Sequence, residues 1–69
     1  MITEIWESDP FSQRRHEIIG KFDTDYAWVS GDVFVDKRGG EFVKFRILSV
    51  RVELDDDGLS REVLALRVE

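Results

Sequence analysis

His16 is the only histidine of the chain. It sits in SDPFSQRRHEIIG, residues 8–20, beside Arg14, Arg15 and Glu17. An imidazole acts as a general base when a second group orients it and a reacting group lies within hydrogen-bond reach. Glu17 adjoins it in sequence, which does not bring the two side chains together, so His16 reads as a surface histidine. Cysteine is absent, and with it any thiolate nucleophile. Ser8, Ser12, Ser30, Ser49 and Ser60 stand in no nucleophile motif. The run Asp55-Asp56-Asp57-Gly58 suggests a calcium loop. With Gly58 at position 6 of an EF-hand, however, position 12 falls on Leu64, and the bidentate glutamate is missing. Gly39-Gly40 has neither the spacing nor the following helix of a phosphate loop. No catalytic residue, metal site or cofactor is expected, and the chain reads as non-enzymatic.

The residue types that remain favour recognition. Trp6, Phe11, Phe34 and Phe42, with Arg14 and Arg15, belong to the classes enriched where proteins meet. A second reading is single-stranded nucleic acid, with aromatics stacking bases and Arg38, Lys44, Arg46 and Arg51 following the phosphates. The net charge of −5, from 10 basic and 15 acidic residues, weighs against it. The charge is segmented. Residues 23–36 carry four acids and no base, 37–51 five bases and one acid, and 52–69 six acids and two bases. A basic strand between two acidic ones explains this by cross-strand pairing, without a ligand.

A chain of 69 residues is expected to form one domain. A domain of that size buries only about 60% of the surface its unfolded chain exposes. No disulfide can staple it, which leaves self-association as a source of further burial. Hydrophobic residues at 42% and charged residues at 36% suit a compact domain. No apolar run reaches the roughly 18 residues of a membrane span. MITEIWESDP lacks a signal peptide's basic start and apolar core. A cytoplasmic protein that does not engage membranes is expected.

Two glycines fix the expected hairpins. A loop of Arg38-Gly39-Gly40, with Gly40 in the left-handed place, sets Val33 against Phe45 and Val35 against Val43. It also pairs Lys37 with Glu41 and Asp32 with Arg46 on the other face. A loop of Asp56-Asp57-Gly58 sets Val52 against Glu62, Val50 against Leu64 and Glu53 against Arg61. In the strand between them the apolar phase switches from Val43, Phe45, Ile47 to Leu48, Val50, Val52, which calls for a bulge near Ile47-Leu48. In this register Phe34 and Phe42 face away from the valines, either exposed or covered by the N-terminal arm.

Upstream, Asp9 is a good N-cap and Pro10 suits a first helical position, so a short helix is expected over residues 10–16. The predicted strands are 17–22, 25–29, 32–37, 41–54 and 60–68. Tyr26 to Val35 could instead be one strand kinked at Gly31. The expected fold is mainly β: a small antiparallel barrel or strongly bent sheet (17–69) behind an N-terminal arm and helix (1–16). A short helix followed by five strands is similar in element order to the SH3-like and Sm-like barrels, and no signature motif accompanies the likeness. The function expected is a small protein-interaction module: an adaptor, an inhibitor of a larger enzyme, or a subunit of a homo-oligomer. The acidic, cysteine-free build is compatible with small phage-encoded inhibitors. The contact residues would be Trp6, Phe11, Arg14, Arg15, Phe34 and Phe42.

Overall fold

The computed structural model describes residues 1–68. Five strands, β1 (Ile2–Ser8), β2 (Arg15–Asp23), β3 (Val33–Asp36), β4 (Val43–Asp55) and β5 (Gly58–Val68), form one sheet in the order β2-β1-β5-β4-β3. The sheet curls into a half-barrel. Its pairings are antiparallel except β1 with β5, which run parallel. The bent β architecture matches the sequence; the all-antiparallel pairing does not.

The β4–β5 hairpin shows how residue types set the geometry. The Asp57 N–H donates to Asp55 Oδ1 at 2.8 Å, an Asx turn, and Gly58 takes φ 115°. The register places Leu54 against Leu59, Val52 against Arg61 and Val50 against Val63, one residue away from the expected pairing. The expected bulge is present between Ile47 and Ser49. It keeps Phe45 and Ile47 on the same face as Val50, Val52 and Leu54. That concave face holds the core: Ile5, Phe45, Ile47, Val63 and Ala65 are buried. Ile19, Trp28, Phe34 and Val50 pack against it.

The β3–β4 register also differs by one residue, and here the consequence is large. Phe34 lies opposite Phe45 and Val33 opposite Arg46. A one-residue slip turns every side chain to the other face. Phe34 thus stacks on Phe45 with ring centroids 5.2 Å apart, while Val33 and Val35 are exposed. The reason lies in the connection, which is longer than the three residues expected. Residues 37–42 contain a 3₁₀ turn over Arg38–Gly40, with Gly39 and Gly40 both at positive φ. The Asp36 carboxylate accepts from the Arg38 backbone N–H, Nε and Nη2 at 2.9–3.0 Å, which fixes the turn. The Lys37–Glu41, Asp32–Arg46 and Glu53–Arg61 pairs are not among the ion pairs of the described residues. Arg38–Asp36 and Arg51–Glu62 form instead.

No α-helix forms among the described residues, so the helix expected over 10–16 is corrected. Asp9 does cap a turn: its Oδ1 accepts from the N–H groups of Phe11 and Ser12 at 2.8 and 2.9 Å. Gln13 then takes φ 56°, which ends the helical path after one turn. The Asp9 N–H donates to the Arg14 carbonyl at 2.8 Å, and the ladder resumes with Ser8 opposite Arg15. A single turn gains too few bonds to outweigh the strand ladder. The expected arm is itself β1, an interior strand with Thr3 and Ile5 buried. Residues 25–29 form no strand. The Arg61 guanidinium donates to the Tyr26 and Thr24 carbonyls, both at 2.8 Å, occupying backbone acceptors that a ladder would use.

Candidate protein-binding surface

The β1–β2 loop, residues 9–14, is short and heavily bonded. Besides the Asp9 cap, Gln13 N–H donates to the Asp9 carbonyl at 3.0 Å and Arg14 N–H to Ser12 Oγ at 3.4 Å. The buried Ser8 hydroxyl donates to the Asp9 carbonyl at 3.0 Å. The Ser12 and Phe11 N–H groups hold the Asp9 carboxyl below its ordinary range, as donors to a carboxylate do. Within this framework Phe11 is 94% exposed. A large apolar side chain thus stands in solvent on a backbone that is already ordered.

Behind the loop the convex face of the sheet carries an arginine cluster. The Arg15 guanidinium lies 4.9 Å from the centre of the Trp6 ring. Arg15 Nη1 meets Glu62 Oε2 at 3.1 Å and Arg51 Nη2 meets Glu62 Oε1 at 3.2 Å, leaving the Glu62 side chain 13% exposed. Arg51 Nη2 also lies 3.3 Å from Glu53 Oε1. Arg14 makes no ion pair among the described residues. The Trp6 Nε1–H donates to Glu4 Oε1 at 3.4 Å. A cavity of about 580 Å³ opens here, lined by Gln13, Arg14, Arg15 and, from the strands, Ser49, Arg51, Glu62 and Leu64.

Of the six expected contact residues, Arg15 lies over Trp6, Arg14 lines the cavity beside Arg15, and Phe11 stands in the adjoining loop. Phe34 does not join them, because it is part of the packed interior. Phe42 is 75% exposed but sits in the β3–β4 connection, with Lys37 Nζ 5.2 Å from its ring centre. Of the four residues in the nucleic-acid reading, Lys44, Arg46 and Arg51 share the convex face of β4. Arg51 is engaged by carboxylates, and Arg38 is bonded to Asp36 and to the Ile19 carbonyl. His16 is exposed on the edge strand β2 and makes no ion pair among the described residues.

Sequence reading missed Glu62, the acid that gathers Arg15 and Arg51. The correct hairpin register places Arg51 directly opposite it, so a shift of one residue would have revealed the pair. Among the described residues no group of three or more metal-ligating side chains could hold an ion. No described helix is long and apolar enough to cross a membrane. Comparison with family models, curated proteins and solved structures finds no match for the chain.

Proposed function

We propose that the protein is a non-enzymatic protein-binding module, an adaptor or an inhibitor of a larger enzyme, that engages its partner through the β1–β2 loop. Phe11 is the apolar anchor. Arg14 and Arg15 pair with acidic side chains at the rim of the partner's pocket, and Trp6 supports Arg15 from below. The supporting observation is the combination of near-complete exposure of Phe11 with a loop held by the Asp9 cap. Ordering a loop on binding consumes interaction energy, and a loop ordered beforehand avoids that cost. Aromatic anchors ringed by arginine are the residue types that dominate interface energetics.

The test uses the full chain as bait in lysate, followed by affinity measurement with the purified captured protein. Phe11→Ser and the double variant Arg14→Glu, Arg15→Glu are compared with wild type, each checked by circular dichroism. An anchor residue is worth about 2 kcal/mol or more, so Phe11→Ser should weaken binding by more than about tenfold. A Phe11→Ser variant that is folded and binds with unchanged affinity refutes this reading.

A further inference from the structure

The β4–β5 hairpin extends beyond its neighbours. β3 pairs with β4 only as far as Arg46, and β1 meets β5 only from Ser60 onward. The tip of the hairpin is therefore a two-stranded arm. Its concave side carries Leu54 and Leu59, both exposed, with Leu54 at 78%; the exposed Val52 adjoins them opposite Arg61, where β1 is already paired. Beyond them stand Asp55, Asp56 and Asp57, with no base between residues 52 and 60. An isolated two-stranded ribbon is marginal in water unless its apolar face is covered.

The other end of the same strand has the complementary character. Phe42, Val33 and Val35 are exposed there. Lys37, Lys44 and Arg46 make no ion pair among the described residues. The two ends are separated by the length of β4, 13 residues in a molecule 38 Å long.

We propose that this protein pairs with a second copy of itself about a two-fold axis, the acidic arm of each copy lying on the basic β3–β4 end of the other. Charge complementarity selects this occupant. The arm and the surface that matches it belong to one chain at opposite ends of one strand, so antiparallel copies satisfy both at once. A two-fold contact of this kind is self-complementary and closes at two subunits. It covers the leucines of the arm and the exposed valines and Phe42 together. It also adds burial to a domain whose buried apolar core, among the described residues, is Ile5, Phe45, Ile47, Val63 and Ala65. None of the residues named for this contact belongs to the Phe11 loop.

The experiment is sedimentation velocity on the full chain from low to high micromolar concentration. Three variants accompany it: Leu54→Ser with Leu59→Ser; Asp55→Lys with Asp56→Lys and Asp57→Lys; and Lys37→Glu with Lys44→Glu and Arg46→Glu. Wild type should sediment at twice the chain mass, and each variant alone as a monomer. An equimolar mixture of the two charge-reversed variants should recover the dimer, because each reversed arm then meets a reversed end. This recovery separates loss of the contact from loss of the fold. Wild type that is monomeric throughout overturns the proposal, as does a serine variant that still dimerises, a mixture that stays monomeric, or growth into open polymers. Phe11→Ser should dimerise like wild type, so the two readings fail independently.

Discussion

Phe34 and Phe42 are the same side chain in opposite surroundings. Phe34 stacks on Phe45 and meets Trp28 edge-on at 5.7 Å, whereas Phe42 lies in solvent beside Lys37. Truncating a buried phenylalanine removes transfer energy and leaves a cavity, at about 3–5 kcal/mol. Phe34 is only partly buried, so Phe34→Ala should cost about 3 kcal/mol, near the lower end. Phe42→Ala should fall within about 0.5 kcal/mol of wild type, as exposed positions do. Urea denaturation midpoints measure both. Equal stability of the two variants would mean that β3 pairs with β4 in the register the sequence suggested. At this scale the sequence supplies the residue types: which positions are aromatic and which are basic. Whether Phe34 faces in or out was not, because that depends on a one-residue choice of loop.

Among the elements, the legible features were those with a backbone requirement. Gly40 and Gly58 adopt positive φ, at 81° and 115°, and the apolar phase switch in β4 demanded a bulge that is present. Loop length was less legible. Ion pairs such as Lys37 with Glu41 looked satisfactory on paper, but exposed pairs contribute about 0–1 kcal/mol and cannot outweigh the burial of an aromatic ring. β1 escaped because ITEIWES mixes polar and apolar residues on both faces, and its inward face uses Thr3 beside Ile5. The bulge gives this scale its test. Deleting Leu48 leaves Phe45, Ile47, Val50, Val52 and Leu54 in strict alternation in the same register, so one inward face persists without a bulge. The deletion should therefore retain cooperative unfolding and native amide dispersion in a proton–nitrogen correlation spectrum. Leu48→Ala, which keeps the residue count, should retain both. A collapsed spectrum from the deletion would show that Leu48 does more than supply the extra residue that the bulge absorbs.

Across the whole molecule, curling leaves β2 and β3 as the two edges of an open half-barrel, and Arg38 spans the gap between them. Its Nη2 donates to the Ile19 carbonyl of β2 at 2.6 Å, and the guanidinium lies 6.0 Å from the Phe22 ring centre. Asp36 holds Arg38 in place, and hydrogen bonds from Arg38 in turn lower the Asp36 carboxyl to about 2. Folding depresses this pKa from an unfolded value near 3.9. The stabilisation is therefore complete above that value and disappears as the pH falls towards about 2. Both partners are partly solvated, so the contribution is modest. Asp9, lowered by its loop N–H groups, loses stabilisation on acidification in the same sense. Wild-type stability should accordingly decline on acidification below about pH 4. Asp36→Asn should start lower at neutral pH and decline less steeply, keeping only the remaining carboxylates' share. Denaturation midpoints for the two proteins across that range decide the matter: converging curves identify the Asp36–Arg38 pair as the acid-sensitive link across the barrel's open side, and parallel curves remove that role from it.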